Sequence, residues 1–175
     1  MTDAAIRRWW LLVTNDDQRQ YHGHEGYADD PSREYAYDGF VNNAKRLGKG
    51  DIVLIVGDRH VLGLGVVEEI RQWPCEKTIR YCPECGNTNL KRRKTMTPIY
   101  RCDRGHTFDA PDERARPTIC YLARYWDSFI AFRRLIDRET IRACEAAPTS
   151  QGGMRPLDPE KTREVLAGFG IEVPA

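Results

Sequence analysis

The sequence predicts an α+β protein that consists mainly of β-strands, with a few short helices and a small inserted module. Three observations lead to this fold class. A run of strand length that is rich in aromatic and apolar residues occurs at 9–14, and an unbroken apolar run occurs at 52–56. An aspartate followed by a proline begins a helical pattern at 158–168. Between two strand-like segments, residues 78–112 concentrate cysteine, histidine and basic residues.

A long segment without periodicity separates the first strand from a short helix. Residues 18–38 show neither helical nor strand spacing and are predicted to form a loop. Residues 38–47 are predicted to form a helix that begins at a capping aspartate, Asp38. Asn42 and Asn43 are unusual inside a helix because their side chains compete with the backbone for hydrogen bonds.

Two adjacent strands are predicted at the centre of the sheet. The run 52–56 ends in a tight turn, and the chain returns through 61–70. Gly63 and Gly65 in the returning strand indicate a bulge or a close approach of another backbone segment.

The C-terminal part alternates between strands and helices. Residues 118–126 are predicted to form a strand, followed by a helix that Asp127 or Ser128 caps. A second helical turn restarts at Asp137, and 154–157 form a closing strand before the last helix. The apolar side of the helix after 126 comprises Phe129, Phe132, Leu135 and Ile136.

The insert contains four potential metal ligands at a spacing typical of a structural zinc site. Cys82 and Cys85 are two residues apart, and after sixteen further residues Cys102 and His106 follow, with three residues between them. Three thiolates and one imidazole complete a tetrahedral Zn²⁺ site, so we predict structural zinc. The alternatives are a disulfide or free thiols. A catalytic zinc is disfavoured because no nearby residue offers a general base beside an open coordination position.

The residues between the two ligand pairs are predicted to form a short hairpin with a basic tip. Four consecutive cations occupy 91–94, and two more lie on either side of Cys102. These residues are Lys91, Arg92, Arg93, Lys94, Arg101 and Arg104.

Composition limits the class of protein. A chain of 175 residues is one domain of ordinary size, or one domain with a small insert. Its formal net charge of +1 argues against a strongly basic nucleic-acid coat. The sequence has no signal-peptide core and no apolar run near 18 residues. Cys75, Cys120 and Cys144 suggest no disulfide framework, which together with the zinc site favours a reducing compartment. We therefore expect a soluble, cytoplasmic protein without a membrane partner.

Several segments, in this order, resemble EVE domains. Residues 10–15 are similar to their first strand, and 37–51 to their W-x-G-V-R-N…A-R…L…K-G-D segment, with Tyr37 in place of the tryptophan. Residues 63–69 resemble their G-x-G-x-x-E strand, and 155–160 resemble their closing R-L-S-x-x-P-x-x-x-E element. EVE domains belong to the PUA-like superfamily, together with YTH, ASCH and SRA domains.

The resemblance implies a PUA-like fold, which is a twisted, partly closed β-barrel with surrounding helices. The domain would span residues 1–175, with a zinc ribbon inserted at 78–112, as in versions that accompany bacterial restriction nucleases. The resemblance also implies a protein that flips a modified base into a pocket. There aromatic rings stack on the base and polar groups bind its Watson–Crick edge.

Six residues match the pocket-lining segments of the family by position. Tyr35 and Tyr37 are the candidates for stacking on the base, and Asp38 for accepting a hydrogen bond from an amino group. The alternatives are that the tyrosines pack the loop and that Asp38 is a plain helix cap. The polar edge would be completed by Thr14, Asn15 and Asn42.

The resemblance also gives the basic tip a role in contacting phosphates, which positions nucleic acid without reading its sequence. The alternative is a solvated loop. The phosphate-binding candidates are Lys91, Arg92, Arg93, Lys94, Arg101 and Arg104.

We therefore predict a reader of a modified base in DNA, either a modified cytosine or methyladenine, that serves restriction or phage defence and is not itself an enzyme. An HNH-type or other nuclease, in trans or in a longer parent chain, would cut the DNA. Alternatives are a reader of modified RNA and a protein-interaction module based on the zinc ribbon. An enzymatic alternative would use a divalent metal held by His22, His24, Asp29 and Asp30.

Overall fold

The computed structural model describes residues 7–14, 30–147 and 152–173. Strands dominate these residues and two short helices lie near the C-terminus, which confirms the α+β class. The elements are β1 Trp9–Val13, β2 Glu34–Asp38, β3 Ile52–Val56, β4 Val61–Val66, β5 Glu69–Tyr81, β6 Leu90–Arg92, β7 Tyr100–Cys102, β8 Thr107–Phe108, β9 Asp112–Arg124, β10 Ile130–Ala131, α1 Arg138–Arg142, β11 Met154–Leu157 and α2 Pro159–Gly168.

The chain divides into two compact units. The described residues of the first are 7–14, 30–72, 120–147 and 152–173, and those of the second are 73–119. The predicted limits of the insert, 78 and 112, lie inside the second unit.

A five-stranded sheet organises the first unit. Its strand order is β10-β4-β3-β1-β11. The central pair β1 and β3 runs parallel, whereas β3–β4, β4–β10 and β1–β11 are antiparallel. The predicted turn between β3 and β4 and the predicted closing strand β11 are therefore confirmed.

Both faces of this sheet are buried, which explains why β1 and β3 are apolar throughout and do not alternate. One face of β1 presents Trp9 and Leu11 to a core that includes Leu166 of α2. The other face presents Trp10 and Leu12 to a second core, which includes the aromatic residues of β2 and β9.

The described residues form three sheets and no closed barrel. Besides the five-stranded sheet there are two three-stranded sheets, with orders β2-β9-β5 and β6-β7-β8. The finer PUA-like architecture stays a prediction. No helix in the described ranges has the length and apolar character needed to cross a membrane.

The segment between β2 and β3 is a series of turns and not the predicted helix. Backbone N–H groups of Val41 and Ala44 donate to carbonyls three residues earlier, at 3.0 and 3.1 Å. Asn43 then adopts φ 68°, a left-handed conformation in which asparagine is enriched and which a continuous helix excludes. Its amide Nδ2 donates to the carbonyl of Met154 at 3.0 Å. The unusual asparagine therefore ends the helical pattern.

The helix predicted after residue 126 is also absent. The Oγ of Ser128 binds the backbone of Val66 and of Tyr125, which closes a turn, and Ile130 then pairs with β4. Gly63 permits this pairing, because a Cβ there would lie 2.5 Å from the carbonyl oxygen of Ile130. The close approach predicted from the glycines is confirmed, and it excludes the helix.

The remaining element predictions have mixed outcomes. Helix α1 begins after Asp137 and α2 begins after Asp158, whose carboxylate accepts from the Lys161 amide at 3.0 Å, both as predicted. The loop prediction for 18–38 is wrong at its end, since β2 occupies Glu34–Asp38. Residues 18–29 lie outside the described ranges.

The expectation for the outer cysteines is corrected. Cys75 and Cys120 are disulfide-bonded, whereas Cys144 is free and buried. Cys75 and Cys120 are far apart in the sequence, so no local spacing of cysteines predicted that they would be disulfide-bonded. The outer cysteines therefore give no support for a reducing compartment.

Candidate metal centre

Two tight turns bring the four ligand residues of the second unit together. In the first, the Gly86 amide donates to the Cys82 carbonyl at 2.8 Å; in the second, the Gly105 amide donates to the Cys102 carbonyl at 2.9 Å. Gly86 and Gly105 have φ of 67° and 94°, in the region that favours glycine. Each turn aims its two ligand side chains at one point.

The ligand atoms form a compact cluster that could hold a metal ion. The Sγ atoms of Cys82, Cys85 and Cys102 and the imidazole of His106 all lie within 4.8 Å of one another. Cys85 and Cys102 are separated by 3.9 Å between sulfurs, and His106 Nδ1 lies 3.7 and 3.5 Å from Cys82 and Cys102 Sγ. The three cysteines of the cluster are free and form no disulfide.

The environment favours the thiolate form of Cys102. Burial raises the pKa of its thiol, but backbone amides of His106 and Arg104 and contacts with Cys82 and Cys85 outweigh burial and lower the pKa to about 7. Metal binding requires the deprotonated sulfur. The pKa of Cys85 is raised, because burial and the neighbouring thiols outweigh a hydrogen bond from the Asn87 backbone.

Glu84, between the first two cysteines, faces the outer edge of the imidazole. Its Oε2 lies 3.8 Å from His106 Nε2, while Nδ1 faces the sulfurs. A carboxylate on the far nitrogen commonly orients a metal-binding histidine. Glu84 was not predicted as a site residue, although its position inside the Cys-Pro-Glu-Cys segment is a usable signal.

The ribbon strands carry the basic tip as predicted. Strands β6 and β7 pair antiparallel, with Leu90 opposite Cys102 and Lys91 opposite Arg101. Five of the six cations are exposed and Arg93 is half-buried. In the described part of the chain, none of the six lies within ion-pair distance of a carboxylate. The six are Lys91, Arg92, Arg93, Lys94, Arg101 and Arg104.

The loop that joins β6 to β7 lines an open cleft of about 650 Å³. The Arg93 side chain is held there, because its Nη2 donates to the Pro98 carbonyl and its backbone amide donates to Ile99 at 2.7 Å. The cleft was not predicted from the sequence, because it depends on how the loop folds back through the Arg93 contacts. The lining residues are Arg92, Arg93, Lys94, Thr95, Met96, Thr97 and Ile99.

The two tyrosines expected to stack on a base are core side chains of the first unit. Tyr37 is 1% exposed, and its ring stacks on Tyr121 with centroids 4.9 Å apart. Burial and then the neighbouring Tyr121 raise the pKa of Tyr37. Tyr35 is 7% exposed and donates from its hydroxyl to the Val13 carbonyl at 3.3 Å. In this arrangement neither ring offers an open face, which corrects the stacking assignment.

The expected polar edge does not converge with those rings. Tyr37 and Asp38 are consecutive in β2 and therefore point to opposite faces of the strand. Asp38 is fully buried and its Oδ1 accepts from the Phe40 amide at 2.7 Å, as a turn cap does. Thr14 Oγ1 donates to the Val56 carbonyl at 3.4 Å, and Asn42 is exposed.

Several other candidate residues lie outside the described ranges. Asn15 of the polar edge is one, and so are His22, His24 and Asp29 of the enzymatic alternative. Asp30 is described and accepts hydrogen bonds from the amide and hydroxyl of Ser32, which lower its carboxyl pKa.

No protein-family model, no curated protein and no solved structure matches this chain.

Proposed function

We propose that this protein binds nucleic acid through a zinc-supported basic ribbon and reads a modified base, with DNA carrying a modified cytosine or methyladenine as the first candidate. The observation that carries the proposal is a set of six cations on the ribbon, four in the run 91–94 and the others at Arg101 and Arg104. None of them lies within ion-pair distance of a carboxylate in the described residues. The base-reading part rests on the resemblance to EVE domains.

Zinc is the ion that the ligand set supports. Tetrahedral zinc with Zn–S of about 2.3 Å and Zn–N of about 2.0 Å separates two sulfurs by about 3.8 Å and a sulfur from a nitrogen by about 3.5 Å. Three of the six distances between ligand atoms are 3.9 Å between the Cys85 and Cys102 sulfurs and 3.7 and 3.5 Å between sulfur and His106 Nδ1, and all six are within 4.8 Å. Four protein ligands leave no position for a substrate, which supports a structural role for the ion.

The unpaired cations contrast with arginines elsewhere in the described chain. Arg80 pairs with Glu113 at 2.8 Å, and Arg155 pairs with Glu145 at 2.7 Å. Residues 73–119 contain ten Lys and Arg against six Asp and Glu, so this segment carries +4 while the rest of the chain carries −3. A local excess of exposed, unpaired cations is the electrostatic footprint of a polyanion partner.

The hydroxyl group of Tyr37, and not its ring, is the feature that supports base reading. Its hydroxyl is buried and has no hydrogen-bond partner in the described part of the chain. A buried donor without an acceptor costs free energy, and the polar edge of a bound base would supply the acceptor. Tyr37 is therefore proposed as a polar contact to the base instead of a stacking surface.

Fluorescence anisotropy at one near-physiological salt concentration tests the proposal. The probes are matched duplexes with cytosine, 5-methylcytosine, 5-hydroxymethylcytosine, adenine or N6-methyladenine, with RNA equivalents beside them. We expect a preference of at least about tenfold for one modified duplex. Equal, salt-sensitive affinity for all probes would contradict base reading, and absence of binding would favour the protein-interaction alternative.

The contribution of the ribbon is tested by replacing Arg92 and Lys94 together with glutamine. Each lost phosphate contact reduces the slope of log K against log salt by about 0.9 for duplex DNA, so the slope should fall by about 2 for every duplex alike. Arg142→Gln is the matched control, because Arg142 is an exposed arginine of the first unit that pairs with Glu139. An unchanged slope in the double variant would remove the ribbon from the interface.

A further inference from the structure

Phosphate contacts do not account for the apolar part of the ribbon-tip cleft. Met96 is 60% exposed and, with Ile99, contributes apolar surface beside three cations. At about 650 Å³ the cleft lies within the usual range of small-molecule sites. Methionine is common at surfaces that bind varied ligands, because its flexible side chain adapts its packing to them.

Cations beside apolar side chains suit a single-stranded nucleic acid better than a duplex. The outer surface of a duplex presents phosphates and sugars, and its base faces are stacked inside, so a duplex backbone gains little from an apolar floor. A single strand exposes base faces, which pack against apolar and aromatic side chains while its phosphates contact cations. The cleft offers both kinds of contact within one loop.

The cleft is also partly preorganised. The guanidinium of Arg93 is fixed by the Pro98 carbonyl, so this side chain does not lose rotamer freedom when a ligand binds. Thr95 and Thr97 line the same cleft and supply hydroxyl groups that can donate to or accept from a base edge.

We infer that this cleft binds one unpaired nucleotide of a single-stranded nucleic acid, with the base against Met96 and Ile99 and its phosphates at Arg92 and Lys94. The inference rests on the proposed function, because the phosphate contacts supply most of the affinity. It adds the substrate class for the ribbon: single-stranded or locally opened nucleic acid.

Anisotropy with three probes tests the inference on the full, metal-loaded chain. The probes are a thymidine oligomer of about 12 nucleotides, an abasic strand of the same length, and the corresponding duplex. The abasic strand keeps the phosphates and lacks the bases. We expect the thymidine strand to bind at least about tenfold more tightly than the abasic strand.

Two variants of Met96 make the test specific to the cleft. Met96→Ser should abolish the preference for the thymidine strand over the abasic strand and leave the salt slope unchanged, whereas Met96→Leu should retain the preference. Because the side chain is exposed, metal content and far-UV circular dichroism should be unaffected, which controls for folding.

The outcomes separate this inference from the proposed function. Salt-sensitive binding with equal affinity for thymidine and abasic strands would overturn the nucleotide cleft and leave the phosphate-binding ribbon standing. A strand preference that survives Met96→Ser would also overturn the cleft. No binding to any of the three probes would overturn both proposals.

Discussion

At the scale of single residues, two side chains of the described chain have polar atoms for which a bound ligand would supply a partner. The Cys102 sulfur lies in a cluster whose four ligand atoms are within 4.8 Å of one another, and the Tyr37 hydroxyl is buried without a partner in the described residues. A buried hydroxyl without a partner lowers the free energy of unfolding, and a metal bound by the thiolate would raise it. Each therefore gives a prediction that a single substitution can check.

Replacing Cys102 by serine should remove the metal, because a serine hydroxyl does not supply the thiolate that the site requires. Metal analysis of the purified chain is expected to give one zinc per wild-type molecule and much less than one for Cys102→Ser. Cys144→Ala is the control, since Cys144 is a free, buried cysteine of the other unit and should leave the zinc content unchanged. Full zinc occupancy in Cys102→Ser would contradict the assigned ligand set.

Replacing Tyr37 by phenylalanine should stabilise the protein and abolish the modified-base preference. The ring keeps its contact with Tyr121, while removal of the unpartnered hydroxyl should raise the free energy of unfolding by about 1 kcal/mol. Tyr35→Phe is the matched control, because it removes a hydroxyl that donates to the Val13 carbonyl and should not stabilise. Urea unfolding measures the first effect and anisotropy the second; a Tyr37→Phe protein that still prefers one modified duplex would exclude the hydroxyl as a reader.

At the scale of elements, backbone approach decided several local structures. Gly63 lies where a Cβ would be 2.5 Å from both the Ile130 carbonyl oxygen and the Phe129 ring. Pairing of β10 with β4 therefore depends on the absence of a side chain at this position. In the connection between β2 and β3, the left-handed φ of 68° at Asn43 changes the direction of the chain before β3 begins.

Replacing Gly63 by alanine should destabilise the first unit by about 2 kcal/mol or more, because the new methyl group overlaps backbone and an aromatic ring. Gly168→Ala is the control: this glycine is in α2 with nothing within 4 Å of an added Cβ, so alanine should stabilise by about 0.5–1 kcal/mol. Urea unfolding of the two variants is expected to shift in opposite directions. Equal shifts would show that β10 does not depend on the close approach.

At the scale of the whole molecule, the two units are stabilised by different means. The first has two apolar cores on the faces of its five-stranded sheet. The second has a small core around Leu90, Phe108 and the cysteines of the candidate metal centre. A core of that size does not support a ribbon without additional cross-links such as a metal.

Chelation of the metal should therefore open the ribbon and leave the first unit folded. In hydrogen exchange after treatment with a strong chelator, amides of β6 and β7 should lose protection, while those of β1 and β3 keep theirs. Nucleic-acid affinity should fall with the ribbon and recover when zinc is restored. Simultaneous loss of protection in β1 and β3 would contradict independent stabilisation of the two units.

The candidate site could be predicted from sequence where its geometry is local. The four metal ligands occur in two short segments with fixed spacing, and the hairpin between them follows from the same spacing. The predicted base pocket, by contrast, required residues 35–38 to form a loop. A loop would have allowed Tyr37 and Asp38 to converge, but they belong to a strand, in which consecutive side chains point to opposite faces.

The sequence by itself determined the α+β class, strands β1, β3 and β11, helix α2 and the four residues of the candidate metal centre, because each depends on apolar runs, caps or spacings within a few residues. Only the tertiary structure decided that β2 is a strand and that residues 127–136 form no helix. In these segments the local pattern was compatible with more than one conformation. Residues 34–38 became a strand because they form hydrogen bonds with β9, and residues 130–131 became a strand because they form hydrogen bonds with β4.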